Sequence, residues 1–311
     1  MSTASLLRPP ALRPGDRVAV LSASSPANQE TLPFGLDVLR FAGLEPIVYP
    51  SARDTGSLRR YLAGDDAMRT GDLRAALVDP DIAGIIFAAG GSGAQRTLAE
   101  MDWAGIAVDA PKAIAGFSDV TAVLEGIAVK LGWASVHGPM VATTDDPYSF
   151  GSLIRTLMSP ERATRLDFRD AKTITSGAAR GVTLGGNLTL LMSSLATDTS
   201  KPAAGGILLI EEETEEDYRL DRMLTQLRRS GYLDNVAGII CGTFANCGET
   251  DEVEAILVER LRDFGVPMIA WANIGHGGRQ QTFPIGIAAE LNADERSLRL
   301  LGPPLVPVPF P

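Results

Sequence analysis

The sequence predicts an α/β protein with an N-terminal parallel sheet and a C-terminal mixed α+β domain, on three observations. Short apolar runs alternate with amphipathic segments through the first half. The pattern then weakens into turn-forming clusters, Thr-Thr-Asp-Asp-Pro and Ser-Pro-Glu-Arg among them. Strand-like runs return beyond it. At about 150 residues per domain, 311 residues fit two domains. The expected division is an N-terminal α/β domain over 1–145, a linker over 146–180 and a C-terminal domain over 181–311.

In the first half, the runs 17–22, 46–49, 84–89 and 113–117 are rich in Val, Ile, Phe and Ala, as strands buried on both faces are. Between them, 65–78 and 119–131 have helical periodicity. In the second of these, Val120, Val123, Leu124 and Ile127 form one continuous apolar stripe. Repeated β-then-α units imply a parallel sheet wrapped by helices, a Rossmann or flavodoxin-like arrangement. Within 141–180 only a short helix is expected, near 152–158. Further on, 206–211, 237–244 and 267–272 read as strands. The helix between the first two places Leu220, Met223, Leu224 and Leu227 on one face and ends at Gly231, a capping residue.

Lys and Arg number 28 against 38 Asp and Glu, a net charge of −10, which is the wrong sign for holding a nucleic-acid backbone. Pro9, Pro10 and Pro14 break the N-terminus, so no signal-peptide core is expected, and no apolar run approaches the roughly 18 residues of a membrane span. A cytoplasmic protein without membrane partners is therefore expected. Cys241 and Cys247 match neither a disulfide framework nor a common zinc-ligand spacing, so buried thiols are expected, with no metal and no cofactor.

The chain has two histidines, and they bound any imidazole chemistry. His276 lies in Ile-Gly-His-Gly-Gly-Arg, where flanking glycines leave room for a substrate; His137 abuts a Pro turn. Either also suits a structural role, satisfying backbone groups at a strand end. Ser118, in Gly-Phe-Ser-Asp-Val-Thr, stands at a strand-to-helix switch. There free N–H groups can stabilise an oxyanion, although a serine before a helix is also an ordinary N-cap. Glu211 ends an apolar strand and opens the run Glu211, Glu212, Glu213, Thr214, Glu215, Glu216, Asp217, most of which reads as a solvated loop. Ligand sites of open α/β sheets lie beyond the carboxyl ends of strands, and Ser118, Glu211 and His276 each occupy such an end. Ser, carboxylate and His are the parts of a nucleophile–base relay. The turn Ala89-Gly90-Gly91-Ser92-Gly93 could donate backbone N–H groups to an oxyanion or be a plain tight turn, and it lacks the ending of a phosphate-binding loop.

These motifs, with Gly15-Asp16-Arg17-Val18, Ser24-Ser25-Pro26, His137-Gly138-Pro139, Gly185-Gly186-Asn187-Leu188, Tyr218-Arg219-Leu220-Asp221-Arg222 and Pro284-Ile285-Gly286, run in an order along the chain that resembles the LD-carboxypeptidases, serine peptidases that trim muropeptides, and their microcin C self-immunity relatives. The resemblance implies Ser118 as nucleophile, His276 as general base and Glu211 as its orienting carboxylate. It implies an oxyanion hole from the N–H groups of Gly91 and Asp119, an active site between two domains and a homodimer. One departure stands out. Family members often carry Arg-Gly-Gly-Tyr-Gly where this chain has Ala89-Gly90-Gly91-Ser92-Gly93, so two groups that could contact substrate are missing.

The implied reaction is hydrolysis of an L,D-amide, with release of terminal D-Ala from a cell-wall tetrapeptide; a peptidyl-nucleotide of the microcin type is the alternative substrate. A substrate carboxylate calls for a cation, and Arg96, Arg219, Arg222 and Arg279 are the candidates. An α/β-hydrolase would require Gly-x-Ser-x-Gly, and Val120 breaks that pattern. A non-catalytic cleft-binding protein would use the same glycine turns without the relay.

Overall fold

The computed structural model describes residues 5–143 and 146–308. The expected boundary at residue 145 and the first four residues of the N-terminal segment lie outside them. In chain order the strands are β1 (Arg17–Leu21), β2 (Glu45–Val48), β3 (Ile82–Phe87), β4 (Ala113–Gly116), β5 (Ser135–His137), β6 (Arg165–Asp167), β7 (Lys172–Thr175), β8 (Ala178–Asn187), β9 (Gly206–Glu213), β10 (Gly238–Ala245), β11 (Met268–Ala270), β12 (Phe283–Ile285), β13 (Ala288–Asn292) and β14 (Ser297–Leu300). The α-helices are α1 (Leu32–Phe41), α2 (Pro50–Arg53), α3 (Asp66–Val78), α4 (Ala94–Ala99), α5 (Thr121–Lys130), α6 (Pro147–Met158), α7 (Leu188–Ser193), α8 (Asp217–Arg229) and α9 (Thr250–Leu261).

The first sheet has the order β12-β5-β4-β3-β1-β2. Strands β1 to β5 are parallel, and β12 closes the edge antiparallel to β5. Its parallel part has the flavodoxin-like order 2-1-3-4-5, in which the chain reverses direction between β1 and β3. Both faces are covered, as the continuous apolar strands require. Leu73, Leu98, Val123 and Ile127 of α3, α4 and α5 pack on one face; Leu36, Leu39, Phe150 and Leu153 of α1 and α6 pack on the other.

The second sheet runs β6-β14-β13-β8-β9-β10-β11-β7, with β8 to β11 parallel at its centre and antiparallel strands outside them. The amphipathic stripe of α8 meets β9 and β10 in one core. The opposite face packs Leu209, Ile240 and Leu291 against Phe283 and Ile285 of β12, which belongs to the first sheet. The two sheets therefore share a core through one strand that crosses back.

The span 146–180, expected as a linker, carries structured elements. Here α6 starts at an Asp146 side-chain cap and buries Phe150, Leu153 and Leu157 under the first sheet, while β6 and β7 form the two edges of the second. The short helix expected near 152–158 begins five residues earlier, at Pro147.

Candidate active site

Strand β4 ends at Gly116, and Phe117 leads into a single 3-10 turn, Ser118–Val120, ahead of α5. Ser118 adopts φ +60°, a left-handed conformation that costs an ordinary residue energy and is held only where the surroundings enforce it. Its hydroxyl does not cap the helix. Instead Ser118 Oγ lies 3.0 Å from His276 Nε2.

His276 follows β11 in a loop whose conformation depends on Gly275. That residue has φ +102°, and a Cβ on it would fall 2.3 Å from Glu211 Oε2. With glycine there, the loop closes onto Glu211, whose Oε2 accepts from both the His276 backbone N–H (3.0 Å) and His276 Nδ1 (2.7 Å). The second contact fixes the tautomer of a neutral ring. Nδ1 carries the hydrogen, and Nε2 presents its lone pair to the Ser118 hydroxyl.

The Glu211 side chain is fully buried. Burial works to raise its pKa, but the hydrogen bonds and charge of His276 outweigh that and hold it below the usual carboxylate range. For His276, burial works to lower the pKa, and the hydrogen bond and charge of Glu211, with the charges of Glu213 and the more distant Glu212, raise it above the ordinary value.

The second histidine is different. His137, at the end of β5, is completely buried, and neither ring nitrogen has a hydrogen-bond partner among the described residues. Burial pushes its pKa down to about 4, so the ring is neutral. Phe117 stands beside both, its ring 4.8 Å from that of His276 and 5.7 Å from that of His137.

Glu211 was expected at a strand end and Glu212 and Glu213 in a solvated loop, but all three lie in β9 and have separate fates, because successive strand residues face opposite sides. Glu211 meets His276. Glu212 is 3% exposed and turns the other way, accepting from Asn187 Nδ2 (2.8 Å) and the Thr189 N–H (2.7 Å), which fastens the β8–α7 corner to β9. Glu213 returns to the site, with Oε2 3.3 Å from His276 Nε2. Sequence reasoning missed both. The available signal was that strand alternation continues past Glu211.

A cavity of about 510 Å³ opens over the serine, lined by Gly90, Gly91, Ser118, Glu213, Asn246 and His276 among others. Gly91 takes φ +100°, and a Cβ on it would collide with Ser25 Oγ at 2.3 Å. Ser25 Oγ accepts from the Ser92 N–H at 3.0 Å, so the glycine turn is tied to the β1 loop. The Asp119 carboxylate is buried and accepts from the Ala94 N–H at 2.8 Å, joining the Ser118 turn to the start of α4. A larger groove, about 990 Å³, lies at the amino ends of β1, β3 and β4 and has no Ser, Cys or His among its described lining residues.

Among the described lining residues of the serine cavity none is Lys or Arg. Arg96 pairs with Asp66, Arg219 with Glu215, and Arg222 lies over the Tyr218 ring. Arg279, next to the cavity residue Gln280, lies over the Tyr148 ring at 4.5 Å. Cys241 and Cys247 are free, buried thiols, and burial raises both, Cys247 to about 11. Among the described residues no group of three or more His, Cys, Asp or Glu could hold a metal, and no helix is long and apolar enough to cross a membrane.

Residues 18–138 match the LD-carboxypeptidase N-terminal domain, and residues 180–291 match the LD-carboxypeptidase C-terminal domain. A carboxypeptidase-named protein of Streptomyces coelicolor is 43% identical over 304 residues, covering 96% of this chain and 98% of its own. The murein tetrapeptide carboxypeptidase of Pseudomonas aeruginosa is 28% identical, over 89% of this chain and 94% of its own. Among solved structures, MccF in complex with glutamyl sulfamoyl guanosine superposes with a TM-score of 0.86 at 22% identity, covering 96% of this chain and 100% of that one, a likeness of fold. The chain belongs to the LD-carboxypeptidase family of serine peptidases.

Proposed function

We propose that the protein is a serine carboxypeptidase that hydrolyses an L,D-amide and releases the terminal D-Ala of a murein tetrapeptide. The observation that carries this reading is the continuous chain Ser118 Oγ–His276 Nε2 (3.0 Å) and His276 Nδ1–Glu211 Oε2 (2.7 Å) at the wall of an open cavity. Ser118 Oγ attacks the carbonyl carbon of the scissile amide while His276 Nε2 takes the hydroxyl proton. Glu211 holds the ring in the working tautomer and stabilises the imidazolium that forms. Backbone N–H groups of Gly91 and Asp119 stabilise the oxyanion of the tetrahedral intermediate. His276 then gives its proton to the departing amine, and water removes the acyl group from Ser118 by the same steps in reverse.

The name of the Pseudomonas aeruginosa relative supports the tetrapeptide as substrate. Arg279 supports it as the cation for the substrate carboxylate: its chain neighbour Gln280 lines the cavity, and its guanidinium lies over the Tyr148 ring, whereas Arg96 and Arg219 are taken up by Asp66 and Glu215. Cytoplasmic location and a homodimer complete the reading, on the family resemblance. The alternative substrate, an aminoacyl sulfamoyl nucleoside, is favoured by the complex of the MccF neighbour and by the lack of Arg and Tyr in the glycine turn.

A single assay separates the readings. Purified protein is given a tetrapeptide ending in D-Ala, its L-Ala diastereomer and an aminoacyl sulfamoyl adenosine, and each product is quantified. The proposal expects release of D-Ala alone; turnover of the nucleoside with an inert tetrapeptide contradicts it.

A further inference from the structure

Glu213 has no place in the reaction just described, yet its carboxylate lies in the reacting region. Its backbone is fixed as the last residue of β9, in register with Ala245 of β10, and its side chain is 45% exposed in the serine cavity. Glu213 Oε2 is 3.3 Å and Ser118 Oγ 3.0 Å from the same atom, His276 Nε2.

A count of hydrogens shows the consequence. When the ring is neutral its one N–H is at Nδ1, directed at Glu211, and Nε2 offers only a lone pair. A serine hydroxyl can donate to that lone pair. A carboxylate cannot, and two lone-pair-bearing atoms 3.3 Å apart repel. The contact becomes attractive when Nε2 also bears a proton. The imidazolium then has a carboxylate at each ring nitrogen, with the Nε2–H shared between Ser118 Oγ and Glu213.

We infer that Glu213 is a positioning residue for His276: its carboxylate stabilises a protonated resting form of the ring, and so sets the pH above which the ring becomes free to act as a base. The inference rests on His276 being the general base. The proton comes from solvent and returns to it; no bond is made or broken in the substrate. The remaining neighbours of His276 do not change with Glu213. Glu211 and Glu212 on β9 are negative neighbours that remain in any Glu213 variant, His137 on β5 is buried and neutral, and Ser118 and Phe117 bring no charge. A substrate entering the cavity would displace the exposed Glu213 side chain and leave Nε2 to Ser118.

With two histidines in the chain, the ring resonances can be assigned directly by histidine-selective NMR, and His137 serves as an internal control. The experiment titrates His276 in wild type, Glu213→Gln and Glu213→Asp without substrate, then measures kcat/KM against pH. The inference expects the His276 midpoint to fall by about one pH unit in Glu213→Gln, with partial recovery in Glu213→Asp and the acid limb of kcat/KM moving with it. Equal midpoints in wild type and Glu213→Gln would overturn it. Because the titration needs no turnover, an error in the peptidase reading shows separately, as absent D-Ala release from a protein whose midpoint still shifts.

Discussion

Two strand ends each bring a histidine to the ring of Phe117, and they differ in almost everything that decides chemistry. His137 ends β5 fully buried, with no hydrogen-bond partner on either ring nitrogen among the described residues and a pKa pushed down to about 4. His276 lies on a glycine loop beyond β11, with a buried carboxylate on one nitrogen and a serine hydroxyl on the other. One ring is a neutral packing unit and the other is poised to move a proton. Partners, more than burial, separate them, since both rings are largely withdrawn from water.

The comparison can be broken by removing the partners of His276. Glu211→Gln should lower kcat by about 10³-fold or more, because an amide can hold the ring in the wrong tautomer and cannot stabilise the imidazolium; steady-state rates on the tetrapeptide check this. Gly275→Ala should follow at about 10²-fold, since a methyl group would occupy the place of Glu211 Oε2 and displace the loop that carries His276. There the expected signature is a fall in kcat with the melting temperature also reduced. His137→Phe, which keeps an apolar ring in the core, should change kcat/KM by less than about tenfold. A loss as large as that of Glu211→Gln would mean that His137 takes part in the reaction.

The same contrast predicts a pH profile. His276 must be neutral to act as base, and its pKa lies above the ordinary 6.5, so kcat/KM should fall as pH drops through a midpoint above that value. A midpoint near 4 would point to His137.

Much of this could be read from residues alone, and the gaps have physical causes. Strands β1, β3 and β9 are continuous apolar runs, so burial announces them. Strand β8 reads Ala-Ala-Arg-Gly-Val-Thr-Leu-Gly-Gly-Asn and carries no such signal; its glycines allow close approach of β9, where a Cβ on Gly185 would come within 2.1 Å of Leu209 O. Helix α1 carries Pro33 and Gly35 in its first turn, which looks like a loop, yet Gly35 is needed because Val141 O packs against it. The three-residue strand β12, which joins the two sheets, is too short to show a period. In the site, Ser118, Glu211 and His276 were readable because each lies at or a few residues beyond the carboxyl end of an apolar run. The left-handed backbone of Ser118 and the return of Glu213 to the cavity depend on geometry that no local pattern encodes.

The central claim is that Ser118 is the covalent nucleophile. The direct measurement is D-Ala release from tetrapeptide by Ser118→Ala beside wild type, with folding verified by circular dichroism and thermal melting. The expected result is a folded protein with at least about a 10³-fold loss in kcat. A folded Ser118→Ala protein that keeps more than about a tenth of wild-type kcat would contradict it.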